Sequence, residues 1–356
     1  MTSTSRPAGN TGNKRCKGQR QRRWPIVVAI AAALAVCAAA AGFWLLGGKS
    51  PSSALIRIPA NASAEMLRDS IARYLGDSYA GKVTRLVKMR GTDLPSRHGA
   101  YLLEAGWSPL AAARRLTGGP QHPLTITING FRQRSLLQDK VAARFDFTPD
   151  SLAKVMADEE VMGRYGLTPE QSMSLFLNDS FDFFWNVSPA DVVAKVGAHY
   201  LDVWNDARRR KADALGLTPA EVMTLASIVD EETNAMEEKG TIARLYINRL
   251  NIGMPLQADP TVRFAGGDFS VKRITSRMTK VDHPYNTYKN RGLPPGPIRT
   301  TSVATIDAIL DSRPNEYIYM CAKEDFSGRH NFATTYAQHE ANARRYKREL
   351  DRRGIY

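Results

Sequence analysis

Residues 218–233 read TPAEVMTLASIVDEET, and this stretch predicts the helix around which the fold is organised. Thr218 can cap the helix, Pro219 suits its first turn, and Glu221 completes a capping box. At about 100° per residue, the apolar side chains that share one face are those of Val222, Leu225, Ile228 and Val229. We therefore expect an amphipathic helix whose apolar face packs on a hydrophobic core.

Glu232 continues the apolar face of this helix, whereas Asp230 and Glu231 project outside it and are expected to point toward solvent. A carboxyl on an apolar face loses hydration when it ionises, so we expect a raised pKa for Glu232. A carboxylic acid that is still protonated near neutral pH can donate a proton to a leaving oxygen. The alternative is an ion pair with Arg244 or Arg249, and the helix alone favours neither interpretation.

Further helix starts and strands surround this helix. The same hydroxyl–proline pair recurs at residues 148–149, 168–169 and 188–189, which predicts a run of short helices. Residues 124–128 and 317–321 predict strands, and a basic final helix should begin near Thr335. Cys321 follows apolar residues, so we expect a core thiol rather than a nucleophile.

The N-terminal half alternates strand and helix patterns. Residues 55–58 and 98–103 predict strands, and residues 62–74 and 108–116 predict helices. This order over about 65 residues is typical of a small α+β module.

Residues 24–46, WPIVVAIAAALAVCAAAAGFWLL, carry no charge and are long enough to span a hydrocarbon core of about 30 Å. The preceding RQRR (residues 20–23) predicts a cytoplasmic N-terminus by the positive-inside rule. A cleaved signal peptide fits less well because the apolar run is long and a long tail precedes it. A lipoprotein site at Cys37 fits less well because Val36 stands where a small residue is wanted.

The formal net charge of +14 first suggests an anionic partner, but seven of the basic residues precede the apolar run. Because neither zinc-finger spacing nor an RNA-binding signature accompanies them, we expect no nucleic-acid partner. Cys16, Cys37 and Cys321 lie in three different segments and cannot form a disulfide framework. The six histidines lack metal-ligand spacing, so we expect neither a metal nor another cofactor.

Polar loops after the predicted helix are suited to sugar binding, although each residue in them is also an ordinary loop constituent. Asn248 lies near the end of a second predicted amphipathic helix (residues 241–250), and Gln257 and Asp259 lie in the polar segment that follows it. Tyr285 and Asn286 lie in a later polar segment. We take these five as candidate substrate-binding residues.

Three long motifs are similar to those of the endolytic murein transglycosylases, the MltG/YceG-like family: LASIVDEET (residues 225–233), INRLNIGMPLQADPTV (247–262) and YNTYKNRGLPPGPI (285–298). The resemblance extends from about Ile56 to the C-terminus. It implies that Glu232, the last acid of the family's E-x-E-T element, is catalytic, and FSGRHNF (326–332) implies that His330 lies near the cleft. HGAYLLEAGWSPLAAARRLTGG (98–119) resembles the end of the family's LysM-like module.

Two segments depart from the family pattern. FLNDSF (residues 176–181) replaces a proline-containing stretch, and RTTS (residues 299–302) replaces N-P-G after the GLPPGPI loop. Both departures could alter the shape or rigidity of the cleft.

Together with the membrane segment, the resemblance implies an α+β chain in five parts. These are a basic cytoplasmic tail (1–23), a transmembrane helix (24–46), a linker (47–54), a small LysM-like α+β module (55–120) and a mixed α/β catalytic transglycosylase domain (121–356).

The implied activity is endolytic cleavage of the MurNAc-β-1,4-GlcNAc bond of nascent peptidoglycan strands. It yields 1,6-anhydro-MurNAc ends and terminates strand elongation. The implied setting is a single-pass protein of the inner (cytoplasmic) membrane with an extracytoplasmic catalytic domain, and cell-wall synthases are candidate partners. The alternatives are a hydrolytic muramidase, with Asp259 as its second carboxylate, and a non-catalytic wall-binding scaffold.

Overall fold

The computed structural model describes residues 1, 2, 4, 24–271 and 274–354. Almost all of the predicted basic tail therefore lies outside the described residues. The chain divides into two compact units, Met1–His122 and Pro123–Tyr356. Both contain helices and antiparallel strand pairs, which confirms a mixed α+β chain.

The first unit begins with α1 (Trp24–Leu46), which forms one continuous helix with no buried residue. In the part of the chain that the structure describes, it is the one single helix long and apolar enough to cross a membrane. The predicted membrane-spanning length is thus present as a helix.

The rest of the first unit comprises two strands and three α-helices: β1 (Ala54–Ile58), α2 (Ala64–Leu75), α3 (Asp77–Met89), β2 (Gly99–Leu103) and α4 (Pro109–Gly118). A short 3₁₀ helix, Pro95–Arg97, precedes β2. β1 and β2 pair antiparallel, and Ile56 lies opposite Tyr101. The two predicted strands and two predicted helices are confirmed.

Helix α3 was not predicted, although apolar residues recur along it at helical spacing. Its N-cap is Gly76, which makes no side-chain capping hydrogen bond, so no capping side chain marks its start. Its buried residues are Tyr79, Ala80, Val83, Leu86 and Val87.

The second unit contains two further strand pairs. β3 (Leu124–Thr127) pairs antiparallel with β4 (Ser180–Phe183), and β5 (Tyr319–Ala322) pairs antiparallel with β6 (His330–Ala333). The predicted strand at residues 317–321 begins two residues later than expected.

The described helices of the second unit are α5 (Arg134–Ala142), α6 (Pro149–Met156), α7 (Glu159–Gly163), α8 (Pro189–Val203), α9 (Asp206–Ala214), α10 (Pro219–Glu232), α11 (Met236–Asn251), α12 (Asp259–Gly266), α13 (Val303–Leu310) and α14 (Tyr336–Arg352). Two 3₁₀ helices, Pro169–Leu175 and Met278–Lys280, complete the set. The predicted proline-started helices are present, but the one at Pro169 is 3₁₀ rather than α.

Helix α10 lies inside the second unit and is not a surface helix. Its predicted apolar face is buried, and so is the opposite face, which includes Thr224 and Ser227. The Thr218–Glu221 capping box is confirmed. Helices α9, α11, α12 and α13 and the 3₁₀ helix Pro169–Leu175 all contact it. The expected burial of the apolar face is therefore confirmed, and the opposite face is covered as well because neighbouring elements pack on it.

Candidate active site

Glu232 is the last residue of α10, and Thr233 after it has extended backbone that ends the helix. The hydroxyl of Tyr246, on α11, donates a hydrogen bond of 2.6 Å to Glu232 Oε1. Burial raises the pKa of Glu232 to about 7, with a smaller contribution from the negative charge of Asp259. The Tyr246 hydrogen bond, Arg263 and Arg249 act in the opposite direction without overcoming burial. Glu232 can therefore give or take a proton near neutral pH.

A cavity of about 250 Å³, here named the acid cavity, has Glu232 in its wall. The other lining residues are Tyr246, Arg249, Gln257, Asp259, Tyr288, Met320, Cys321, Ala322 and His330. Three residues picked out from the sequence, Gln257, Asp259 and His330, thus line the same cavity as Glu232. Among the described residues, no group of three or more His, Cys, Asp or Glu side chains could hold a metal ion.

Asp259 and Gln257 reach the acid cavity in different ways. Asp259 begins α12, and the hydroxyl of Tyr288 donates a 2.6 Å hydrogen bond to its Oδ1. Gln257 has a left-handed backbone, with φ of 50°, and its N–H donates to the carbonyl of Thr287 at 3.1 Å. Such a conformation costs a non-glycine residue about 1–2 kcal/mol. The motif segment around Gln257 is therefore held in an unfavourable shape at the cavity wall.

The ion-pair alternative for Glu232 is not observed. Arg244 donates to the carbonyl of Ser312, and Arg249 donates to the carbonyls of Leu256 and Ile318. In the described part of the chain, neither guanidinium forms an ion pair with Glu232. Main-chain oxygens occupy both guanidinium groups, and the side-chain hydrogen bond of Glu232 among the described residues comes from Tyr246.

Asp230 does not point toward solvent, so that prediction is wrong. Its carboxylate accepts from Lys239 Nζ at 2.6 Å, Thr301 Oγ1 at 2.5 Å and Thr305 Oγ1 at 2.7 Å. The side chains of Asp230 and Lys239 are only 7% and 10% exposed. Helices α11 and α13 pack on this side of α10 and supply the cation and the Thr305 hydroxyl.

Glu231 does not point toward solvent either, and its side chain is only 5% exposed. Arg132 Nε and Arg299 Nη1 lie 2.7 and 2.8 Å from Glu231 Oε1. These residues line a second cavity of about 360 Å³, the arginine cavity, together with Asp230, Glu232, Thr233, Asn234, Ala235, Ser327 and Gly328. Glu232 lines both cavities.

The other three candidate substrate-binding residues line neither cavity. The amide of Asn248 donates to the carbonyls of Asn315 and Tyr317. The buried amide of Asn286 donates to the carbonyls of Thr279 and Val281. The ring of Tyr285 packs on Phe264, with centroids 4.7 Å apart. All three hold loops in place.

Cys321 and His330 lie on the paired strands β5 and β6. Cys321 was expected in the core, but it is half-buried at the acid cavity, and burial raises the pKa of its thiol. Glu238 accepts a hydrogen bond from the main-chain N–H of His330 at 3.0 Å and lies 3.1 Å from His330 Nδ1. The imidazole is therefore fixed by a carboxylate.

The two departures from the family pattern contact each other. Asn178, in the first, accepts from Thr300 Oγ1 at 2.8 Å, and its N–H donates to the carbonyl of Thr301 at 2.8 Å. Thr301 then bonds Asp230, and Arg299 bonds Glu231. The second departure therefore supplies partners for two of the three acids at the end of α10.

Tyr246 and Tyr288 are site residues that sequence reasoning missed, and Arg249 was considered only as an ion-pair partner of Glu232. Tyr246 and Arg249 are three residues apart and so share one side of α11, which was predicted as a helix. That spacing could have indicated a common cavity. Tyr288 carried no such signal, because loop geometry decides which tyrosine of YNTY faces Asp259.

The YceG-like family model matches residues 56–345 of the chain. The chain belongs to the YceG-like family. Its resemblance to that family, inferred from three motifs, is thereby confirmed.

Relatives and a solved structure agree with this membership. The chain is 37% identical over 125 residues to an endolytic murein transglycosylase of Bacillus subtilis (strain 168), a match covering 35% of this chain and 34% of the relative. It is 33% identical over 130 residues to an endolytic murein transglycosylase of Streptococcus pneumoniae (strain D39), covering 35% and 23%. The matched region thus spans about a third or less of either relative.

A crystal structure of a yceG-like protein from Listeria monocytogenes shares the fold, with a TM-score of 0.55 and 22% identity. The match covers 82% of this chain and 99% of that one.

Proposed function

We propose that this YceG-like protein is an endolytic lytic transglycosylase that cleaves the MurNAc-β-1,4-GlcNAc bond of nascent peptidoglycan. The observation that carries the proposal is Glu232, whose pKa of about 7 accompanies a position in the wall of a polar cavity. The names of the Bacillus and Streptococcus relatives support the same activity.

In the first step, protonated Glu232 donates its proton to the oxygen that links C1 of the muramic residue to the next sugar. The C1–O bond breaks, the departing sugar keeps that oxygen as a hydroxyl, and positive charge develops at C1. Glu232 becomes a carboxylate, which the 2.6 Å hydrogen bond from Tyr246 stabilises.

In the second step, the C6 hydroxyl of the same muramic residue attacks C1 while the Glu232 carboxylate takes its proton. The product is a 1,6-anhydro ring, and the glutamic acid is regenerated. One residue can serve as both acid and base because its pKa lies near neutral pH. The attack is intramolecular, and aligned groups reach effective molarities on the order of 10⁵ M or more.

The residues around Glu232 would position the sugar. Gln257 and Asp259 line the acid cavity and can bond sugar hydroxyls directly. Asn248, Tyr285 and Asn286 would act indirectly. They contact other residues of the chain and so hold the loops around the cavity in place.

The setting of the enzyme is part of the same proposal. Residues 1–23 would be a cytoplasmic tail, residues 24–46 the single-pass anchor in the inner membrane, and residues 47–54 a linker. Residues 55–120 would form a LysM-like module, and residues 121–356 an extracytoplasmic catalytic domain. Cleavage there would terminate strand elongation beside cell-wall synthases. Support comes from the apolar helix α1 and the preceding RQRR.

Two alternatives make different predictions. A muramidase would use Asp259 as a second carboxylate to activate water, and Asp259 does line the acid cavity. A wall-binding scaffold would need no proton donor, so the environment of Glu232 counts against it.

Digestion of purified glycan strands in ¹⁸O-water, followed by mass spectrometry of the new ends, separates the three possibilities. The transglycosylase gives unlabelled ends that are lighter than the reducing sugar by one water. Labelled reducing ends would support the muramidase, and intact strands would support the scaffold.

The topology has its own test. Without protease, the full-length protein should remain in the membrane fraction. Protease added to cells with a permeabilised outer layer should degrade everything beyond α1. Protection of the second unit would contradict the proposed orientation.

A further inference from the structure

The arginine cavity is not used by the two proton transfers, although Glu232 forms part of its wall. Two arginines lie there with one carboxylate between them. Arg132 and Arg299 both bond Glu231 Oε1, so this group of three carries one surplus positive charge. Asp230 does not cancel it, because Lys239 already pairs with Asp230. Glu232, the third acid in the wall, is uncharged while it holds the proton that it donates in the first step. The cavity beside the scissile bond therefore favours an anion.

Arg132 has hydrogen-bond donors to spare. Its Nε–H donates to Glu231, while Nη1 and Nη2 donate to no residue in the described part of the chain. The side chain is 43% exposed, and its guanidinium lies over the ring of Phe269 at 5.6 Å. A guanidinium held at one edge and free at the other presents a fork that fits the two oxygens of a carboxylate.

The other arginine, Arg299, is held by three oxygens. Its Nη1 donates to Glu231 Oε1 at 2.8 Å and to the carbonyl of Asp230 at 3.3 Å, and its Nε donates to the carbonyl of Thr300 at 3.4 Å. Its Nη2 approaches Gly130, on the loop that carries Arg132, where a φ of 63° favours glycine. The two arginines therefore share Glu231 and lie together in the cavity wall.

We propose that the arginine cavity binds a carboxylate of the glycan strand close to the bond that is cleaved, with the free edge of Arg132 as the main contact. This inference rests on the proposed function, since it takes the strand as the ligand. Two sources offer the same chemistry. A stem peptide carries its own carboxylates, and a bare muramic residue exposes the carboxylate of its lactyl group.

Binding measurements on the full-length protein in detergent test this without cleavage. The parent carries Glu232→Gln so that strands stay intact, and Arg132→Gln, Arg132→Lys or Arg210→Gln is added to it. Arg210 is an exposed arginine on α9 and controls for the loss of one positive charge. The ligands are strands with stems, the same strands with all carboxyls amidated, and bare strands without stems.

Arg132→Gln is expected to weaken binding of carboxylate-bearing strands roughly tenfold or more, since charge-assisted bidentate hydrogen bonds are lost. Arg132→Lys should fall between this variant and the parent, because the charge remains and the fork is lost. Amidated strands should bind all variants equally, and Arg210→Gln should match the parent throughout. An Arg132 effect confined to stem-bearing strands assigns the stem carboxylates, and an effect confined to bare strands assigns the lactyl carboxylate. An equal effect on both shows that the cavity accepts either carboxylate.

Three outcomes would overturn the proposal. Arg132→Gln could weaken the binding of amidated and carboxylate-bearing strands equally, it could weaken neither, or the parent could fail to bind strands at all. Thermal unfolding of each variant checks that the fold is intact. The ¹⁸O digestion of the unsubstituted protein tests the proposed function separately, so the two failures are distinguishable.

Discussion

Glu232 lines both cavities, and the neighbouring carboxyl groups at this end of α10 have different partners in each. On the arginine cavity, Glu231 bonds two guanidinium groups, and Asp230 next to it bonds an ammonium and two hydroxyls. In the acid cavity, Glu232 accepts a hydrogen bond from a tyrosine hydroxyl and forms an ion pair with no cation of the described residues. Three consecutive residues at one helix end thus have different chemistry because of the partners that other elements bring.

The comparison shows that burial alone does not make an acid catalytic. The side chains of Asp230 and Glu231 are as closely covered as a core residue, yet cations neutralise both. Among the described residues, Glu232 alone of the three is buried without an ion-pair partner, and burial raises the pKa of its carboxyl although Arg263 and Arg249 act in the opposite direction. The predictions below test this division between the two cavities, beginning with the largest expected effect.

Glu232→Gln should reduce strand cleavage by roughly 10²–10⁴-fold, the range typical of removing a general acid. The substitution keeps the volume and can still accept the Tyr246 hydrogen bond. Glu231→Gln should cost less, because it weakens the hold on two arginines without removing the proton donor. Cleavage rates measured on purified strands test this. A larger loss of rate in Glu231→Gln than in Glu232→Gln would contradict the assignment of Glu232 as the proton donor.

Asp230→Asn should destabilise the protein by about 3–5 kcal/mol, because it leaves the Lys239 ammonium buried without its counter-charge. The matched control is Asp311→Asn, which breaks an ion pair with Lys211 whose side chains are 59% and 48% exposed. That control should change stability by about 1 kcal/mol or less. Denaturant unfolding of both variants provides the measurement, and equal losses would mean that the Asp230 pair is not structural.

The pH dependence of stability should differ between the unsubstituted protein and Glu232→Gln. The folded pKa of about 7 lies above the ordinary value of 4.5, so the folded state holds the proton over this interval. The contribution of this proton to the free energy of unfolding is fully present below pH 4.5 and is lost as pH rises through about 7.

Glu232→Gln does not titrate, so at pH 8 it should be the more stable protein by on the order of 3 kcal/mol. Unfolding curves at pH 4 and pH 8 measure the difference, which should vanish at pH 4. A constant difference at both values would argue against a raised pKa.

Tyr246→Phe and Asp259→Asn should move the alkaline limb of the cleavage profile in opposite directions. Loss of the Tyr246 hydroxyl destabilises the Glu232 carboxylate, so the pKa and the limb move to higher pH. Loss of the Asp259 charge lowers the pKa, so the limb moves to lower pH.

The rate of Tyr246→Phe should fall by roughly tenfold or less, since one hydrogen bond is removed. Profiles recorded from pH 5 to 9 make the comparison. If the alkaline limbs of the two variants shifted in the same direction, these residues would act on a group other than Glu232.

The membrane segment, both strands of the first unit, two of the four strands of the second unit and the proline-started helices could be predicted because they depend on local patterns. Strands β4 and β6 were not predicted. A run of 23 uncharged residues, an alternation of apolar side chains, or a hydroxyl before a proline acts within one segment. Capping at Thr218 is an example, since all of its hydrogen-bonding groups lie within four residues. Helix α3, whose start lacks such a cap, was not predicted.

Glu232 could be singled out by helical periodicity and by its motif, and its place at a cavity with Gln257 and Asp259 agrees with that choice. The partners of the three acids could not be predicted. Tyr246, Lys239, Arg132 and Arg299 come from other elements, between nine and a hundred residues away along the chain. Periodicity gives the direction in which a side chain leaves its helix but not what packs there, so only the tertiary structure decided which acid keeps its proton.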